Sequence, residues 1–271
     1  MTQLINPTKF TDTVGLLRSF FLSKGFLEVH TQNRLSILAA CEDPFNVATY
    51  NYEGQVWPLP QTGQMWLEHE LLSSPSSKGF FCVSTSYRQE PNAIPGRHDT
   101  IFPMFEFEMP GTLDDLKAME VELCKHLGFD DLTEKTYKEW QEHFGVDGEL
   151  EARHEETMFE KYGSCMITNF PEFTSPFWNM KRYEDGVTSK KIDVILGGME
   201  TIGSAERSTD VEQMRDTFHT ITDGAYSKLL FELFGKERVE AELEKFLEFD
   251  FFPRVGGGIG MTRMISALDT L

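Results

Sequence analysis

The segment that most constrains the fold runs from Tyr87 to Glu108, Y-R-Q-E-P-N-A-I-P-G-R-H-D-T-I-F-P-M-F-E-F-E. Its flanks, F-F-C-V-S-T-S-Y and I-F-P-M-F-E-F-E, are aromatic and partly alternating, the pattern of half-buried strands. The middle cannot continue a strand, because Pro91 and Pro95 lack amide donors and Gly96 permits a turn. The expectation is an antiparallel hairpin with a long loop, gathering Arg88, Arg97, His98 and a glutamate near one place. A hairpin with no chemical role has little reason to concentrate those side chains.

The hairpin resembles motif 2 of the class II aminoacyl-tRNA synthetases, above all the aspartyl, asparaginyl and lysyl group, whose pattern is Phe-Arg-x-Glu, a loop, then Arg-His and a strand. The resemblance implies that Arg88 meets the α-phosphate of ATP and the substrate carboxylate. A carboxylate attacking phosphorus needs cations to offset the charge there, and a planar guanidinium supplies them bidentately without losing its proton.

Three further stretches extend the resemblance. Phe10, Val14, Leu17 and Phe21 lie at helical spacing, Gly25 is a natural stop, and G-F-L-E-V-H-T then alternates as a strand. This order resembles motif 1, the dimer-forming element of the class, although Gln32 stands where that family usually has proline. After the strand-like runs N-V-A-T-Y-N-Y and Q-V-W-P-L, Thr62-Gly63-Gln64-Met65-Trp66-Leu67-Glu68 is similar to the asparaginyl-type Ser-Gly-Gln-Leu-Tyr-Leu-Glu. In the family this glutamine approaches the substrate's α-amino group. Aspartyl enzymes carry lysine at the position of Leu67, so the match leans to the asparaginyl branch. Near the end, F-P-R-V-G-G-G-I-G-M-T-R resembles motif 3, with Arg263 at a strand-to-helix junction. Thr262 replaces the acid usual in aspartyl-type enzymes; the glycine run is closer to ammonia-dependent asparagine synthetase, a class II relative.

A fourth stretch, K-I-D-V-I-L-G-G-M-E-T-I-G-S-A-E-R, resembles the aspartyl/asparaginyl pattern through Asp193, Glu200, Ser204 and Arg207. Seven positions separate Asp193 from Glu200, an odd number that would put them on opposite sides of an unbroken strand. The Gly197-Gly198 pair supplies the bulge or turn that re-aims one of them. Paired carboxylates suit Mg²⁺, which prefers hard oxygen ligands and bridges ATP phosphates. Arg207 resembles the residue that clamps the substrate's side-chain carboxylate or carboxamide.

Elsewhere the chemical signal is thin. A helix over Thr112–Leu127 presents Leu113, Leu116, Met119, Val121 and Leu123 as an apolar face. Residues 132–161 read as acidic and helical, with His154 on a solvated face, since no His-Glu-x-x-His spacing is present. Residues 163–190 read as strands and a turn, and 210–247 as charged helices. Cys41, Cys82, Cys124 and Cys165 are scattered, indicating neither a zinc site nor a disulfide framework. With 25 basic and 44 acidic residues the net charge is −19, which repels a polyanion and argues against tRNA binding. The N-terminus lacks the apolar core of a signal peptide and no long apolar run occurs, so a cytoplasmic protein is expected.

The resemblance implies an α+β fold: the class II antiparallel β-sheet flanked by helices, here one catalytic domain over 1–271 without an anticodon-binding domain, assembled as a homodimer. It implies ATP contacts from Arg88, Glu90, Arg97, His98, Phe102, Gly258, Gly260 and Arg263, with adenine between Phe102 and Arg263 and its amino group read by Glu90. Amino acid contacts would come from Gln64, Glu68, Arg88, Ser204 and Arg207, and Mg²⁺ ligands from Asp193 and Glu200. The implied chemistry is adenylation, with ATP and Mg²⁺ as cofactors and aspartate or asparagine as substrate. Three outcomes stay open: transfer of activated aspartate to ammonia, giving asparagine; transfer to a protein, carrier or small amine; or a silent amino acid-binding regulator. For the first, Glu42 and Asp43 are the candidates to hold ammonium and take its proton.

Overall fold

The computed structural model describes residues 4–31, 37–38, 44–89, 99–174 and 177–271. Glu42, Asp43, Glu90, Arg97, His98 and Gln32 therefore lie outside the described residues, and so does Cys41.

The expected α+β architecture is present. Helix α1 (Pro7–Ser23) starts where Asn6 Oδ1 accepts from the amides of Thr8 and Lys9, with Pro7 in the first turn, and stops before Gly25 at φ 81°. Strand β1 (Leu27–Glu28) is only two residues long, shorter than the alternation from Gly25 suggests. It pairs parallel with β4 (Phe80–Tyr87), and the next inward backbone bond, Val29 N–H to Phe81 O, is made outside a regular strand. A small separate ribbon joins β2 (Thr49–Tyr52) to β3 (Gln55–Pro58), and α2 (Gln64–Ser73) follows.

The central hairpin is β4 with β5 (Ile101–Pro110), in register from Phe80↔Glu108 to Tyr87↔Ile101. After α3 (Leu113–Leu127) come β6 (Thr133–Thr136), α4 (Tyr137–Phe144), α5 (Ala152–Tyr162) and β7 (Cys165–Pro171). Then β8 (Thr188–Leu196) turns back through Gly197 and Gly198, both at positive φ, into β9 (Met199–Glu206). Helices α6 (Val211–Thr220), α7 (Ala225–Phe234) and α8 (Lys236–Leu247) precede β10 (Arg254–Gly260) and α9 (Met261–Leu268). Among the described residues the sheet has eight strands in the order β1-β4-β5-β10-β9-β8-β7-β6. It is antiparallel except for the outer pairs β1·β4 and β6·β7.

Strand alternation separates the two faces. On β5, Phe105, Phe107 and Met109 enter a core built with α1, α3 and α9, where Phe81 and Phe105 stack at 5.1 Å and Phe21 packs beside both. Truncating a phenylalanine there costs ~3–5 kcal/mol. The alternate residues Met104, Glu106 and Glu108 face the other side. That face is closed at one flank by α2, backed by the α6–α8 group, and at the other by α4 and α5.

Two expectations need correction. His154 is not on a solvated face: it is buried, its Nδ1 accepts from the Glu151 amide, and its ring lies 4.9 Å from Phe144. It caps the start of α5, next to the buried Met158 one turn on. Residues 132–161 are also not wholly helical, because β6 opens the segment and extends the sheet.

Candidate active site

The uncovered middle of the sheet forms a cleft of about 390 Å³ whose lining includes Gln64, Arg88, Phe102, Glu106, Lys191, Glu200, Arg207 and Arg263. Its floor is β5, β10 and β9, and β10 is nearly bare because of Gly256, Gly257 and Gly258. A Cβ on Gly256 would collide with Glu108 Oε2 and stand 2.7 Å from Gln64 Nε2; one on Gly258 would stand 2.7 Å from Met104 Cε. The glycines thus let the neighbouring strand's side chains lie across the backbone.

One end of the cleft is walled by a buried ionic network. Arg207 is 3% exposed and faces Glu108, with Nε 3.4 Å from Oε1 and Nη2 3.3 Å from Oε2. Its Nε also lies 3.6 Å from Glu68 Oε1. Glu68 in turn receives Arg254 through Nε at 3.0 Å and Nη2 at 2.6 Å, and Asn179 Nδ2 at 2.8 Å. Arg254 also donates to Ser208 O at 3.1 Å and lies over the Phe251 ring. Gln64 Nε2 donates to Glu108 Oε2 and to Phe107 O. Two arginines against two glutamates leave the wall neutral when both acids are ionised. Burial raises Glu108 well above the usual carboxylate range; Arg207 opposes the rise, and Glu68 adds to it.

Next to this wall Glu106, fully buried, accepts from Thr62 Oγ1, Ser84 Oγ and the Gly63 amide. Burial raises its pKa, and those three donors limit the rise. At the mouth, Arg88 continues from β4 with its amide bonded to Thr100 O, and its guanidinium lies 5.7 Å from the Phe102 ring. Arg263, in the first turn of α9, donates from Nη1 to Glu200 O at 2.6 Å, and the same atom is 3.8 Å from Glu200 Oε2.

Asp193 and Glu200 share the cleft face, although seven residues separate them. The chain reverses at Gly197-Gly198, and the β8·β9 register shifts between Val194 and Ile195. Asp193 Oδ2 accepts from Lys191 Nζ at 2.8 Å, while its Oδ1 is buried without a hydrogen bond among the described residues. Burial raises Asp193 against the opposing Lys191 ammonium, and Glu200 adds to the rise. The open Asp193 oxygen and Glu200 Oε1 are hard donors of the kind a partly hydrated divalent ion takes. They do not make an all-protein cage: among the described residues no group of three acidic, histidine or cysteine ligands converges.

Of the expected residues, Gln64, Arg88, Phe102, Glu200, Arg207, Gly258, Gly260 and Arg263 line one cleft. Glu68 stands behind Arg207, engaged by Arg254 and Asn179. Ser204 lines the cleft, but its side chain turns to the helix side, where Oγ donates to Ile192 O at 3.3 Å. Sequence reasoning assigned no role to Glu106, Glu108, Lys191, Arg254 or Asn179. For the first two a signal existed, since two acids at i and i+2 in an apolar strand must share a face.

Comparison with known proteins agrees with this fold. The family described as "tRNA synthetases class II (D, K and N)" matches residues 8–270. Asparaginyl-tRNA synthetase from Pyrococcus horikoshii, complexed with asparaginyl-adenylate, superposes with a TM-score of 0.78 at 20% identity over 97% of this chain and 65% of its own. The Entamoeba histolytica asparaginyl-tRNA synthetase, also with asparaginyl-adenylate, gives 0.76 at 16% identity over 96% of this chain and 63% of its own. A putative aspartyl-tRNA synthetase from Leishmania major Friedlin gives 0.75 at 16% identity over 97% and 62%. The chain thus spans slightly less than two thirds of these proteins, and no curated protein matches it in sequence. Fold, strand-borne site and family match together identify the chain as a member of the class II tRNA synthetase family of the aspartyl, lysyl and asparaginyl type.

Proposed function

We propose that this protein activates aspartate with ATP and passes it to ammonia, yielding asparagine, AMP and pyrophosphate. The observation that carries the adenylation step is a single cleft with Arg88 and Arg263 at its mouth and Arg207 in its buried wall. A dicarboxylic substrate can bridge those ends. Its β-carboxylate would face Arg88, which offsets charge on the attacked α-phosphate, and its α-carboxylate would face Arg207. The carboxylate oxygen bonds to the α-phosphorus as pyrophosphate leaves; ammonia then displaces AMP and gives up one proton. Phe102 and Arg263 would hold adenine by stacking and cation–π contact. Mg²⁺, when bound between Asp193, Glu200 and the phosphates, would offset charge on the leaving group. Arg97, His98 and Glu90 would complete the nucleotide site, and Glu42 and Asp43 the ammonium site.

The net charge of −19 favours a small acceptor over a polyanion such as tRNA. Exposed Leu16, Leu22 and Leu27, on α1 and β1, support the homodimer that the motif 1 resemblance implies. The second reading is transfer of aspartate or asparagine to another non-tRNA acceptor. It is supported by Leu67, asparaginyl-like in the sequence, and by the neutral wall, which suits a carboxamide. The test is incubation with ATP, Mg²⁺ and aspartate, first with hydroxylamine and then with ¹⁵N-ammonium, and product identification by mass spectrometry. The first reading expects β-aspartyl hydroxamate and ¹⁵N-asparagine. Hydroxamate without asparagine would move the conclusion to another acceptor, and absence of AMP would refute adenylation.

A further inference from the structure

Lys191 has no part in the reaction as drawn, yet it stands inside the site. On β8 it shares the cleft face with Asp193, to which Nζ donates at 2.8 Å, and the same ammonium lies 4.2 Å from the Phe170 ring centroid. It lines the cleft although its side chain is only 22% exposed. The two carboxylates bracket one point of the floor. A Cβ on Gly203 would stand 2.9 Å from Glu200 Oε1 and 3.5 Å from Asp193 Oδ1.

A bare Asp–Glu pair would offer a divalent ion two negative charges. Here Lys191 at Asp193 and Arg263, 3.8 Å from Glu200, bring two positive charges to the same pair. These two cations already offset the charge of the pair before any metal arrives, with Glu155, which accepts from the Glu200 amide, the remaining acid beside it. A small dication that gives up its water reluctantly gains little from such a site.

We infer that Lys191 is a built-in cation of this site: its ammonium takes up one of the two Asp193 oxygens that a divalent ion would otherwise share, and it offers the polyphosphate of a nucleotide a protein-borne positive charge. The nucleotide half of this inference rests on the adenylation reading; the cation half does not. An ammonium suits phosphate as a point charge and needs no fixed geometry. Metal would then enter with the nucleotide, held mainly by phosphate oxygens.

The test starts with Mn²⁺ binding to nucleotide-free protein, read by electron paramagnetic resonance. Lys191→Met should raise Mn²⁺ affinity roughly 10- to 100-fold over wild type. Lys191→Gln, which keeps a donor to Asp193 but no charge, should do the same, and Lys191→Arg should stay at the wild-type level. Adding Asp193→Asn to Lys191→Met should remove the gain. Folded Lys191→Met and Lys191→Gln proteins that bind Mn²⁺ no better than wild type would overturn the cation role. In a second arm, metal-free ATP and AMP are titrated by calorimetry in the presence of EDTA. Loss of Lys191 should weaken ATP several-fold more than AMP, and equal losses would refute the phosphate contact. Failure of wild type to bind either nucleotide would count against the adenylation reading, while the Mn²⁺ result would still decide whether Lys191 blocks the ion.

Discussion

Glu120 sits on the buried side of α3, fully enclosed, and among the described residues neither of its carboxylate oxygens has a well-aligned hydrogen-bond partner, although the Ser204 hydroxyl lies near. Its surroundings are the apolar core under the cleft floor, with Cys124 one turn on. Burial raises its pKa from the ordinary 4.5 to about 8; the Ser204 hydroxyl moderates the rise, and Asp193 across the sheet adds to it. The folded state therefore holds a proton that the unfolded chain releases above its own, lower pKa. Stability linked to that proton is intact below pH 4.5, falls as pH rises toward 8 and levels off above it. At 1.36 kcal/mol per pH unit the penalty at pH 7 is about 3 kcal/mol, and about 1 kcal/mol at pH 5.5. Glu120→Gln keeps the shape and cannot ionise, so it should stabilise the protein by about those amounts, near 5 °C in Tm at pH 7 for a chain of this size. Urea titrations of wild type and variant at pH 5.5, 7 and 8.5 isolate the term, because the other titrating groups cancel in the difference. A stabilisation that does not grow with pH, or a variant less stable at pH 7, would refute the reasoning.

Two other perturbations probe the wall. Arg254→Met leaves Glu68 buried with Asn179 and the more distant Arg207, which should cost ~3–5 kcal/mol in urea unfolding. Adding Glu68→Leu should recover much of that loss; an additive double variant would show that the pair is not coupled. On the proposed reading, with aspartate as the ligand, Glu108 sets a pH dependence on binding. While it is protonated Arg207 is less compensated, so aspartate should bind tighter at low pH and weaken about tenfold as the raised Glu108 ionises. Calorimetry from pH 6 to 8.5 should show that slope for wild type and a flat profile for Glu108→Gln.

Local pattern made much of the scaffold legible. Helical spacing at Val14, Leu17 and Phe21 marks α1, and the aromatic alternation of β4 and β5 fixes which side chains enter the core. The glycine pair at 197–198 was a sound reason to expect Asp193 and Glu200 on one face, and the register shift at Val194 completes the adjustment. His154 misled because its acidic neighbours suggested solvent, whereas its place one turn before Met158 buries it. Glu120 was not singled out by the sequence at all. It falls among the apolar positions of α3, and nothing in its local sequence shows that this turn of the helix is enclosed. The ionic wall was least legible, because Glu68 and Arg254 are 186 residues apart and meet only when β10 closes against β5.

That wall has a physical rationale beyond stability, since a buried ion pair gains little over apolar packing. An arginine reaching into an open cleft would carry about 2 kcal/mol of rotamer entropy, lost each time a substrate ordered it. Here Glu108 and Glu68 already fix Arg207, Arg254 fixes Glu68, and Gln64 fixes Glu108. The ordering cost falls on folding instead of on binding, which is the role of a supporting shell around a working side chain. The same pairing makes Arg207 a weaker attractor for any anion than a lone guanidinium would be. Discrimination at that end of the cleft then rests on hydrogen-bond geometry more than on charge, because a misfitting ligand leaves buried donors unpaired. The glycines of β10 belong to the same arrangement: a side chain at Gly256 would occupy the space where Glu108 and Gln64 meet, and the wall could not close.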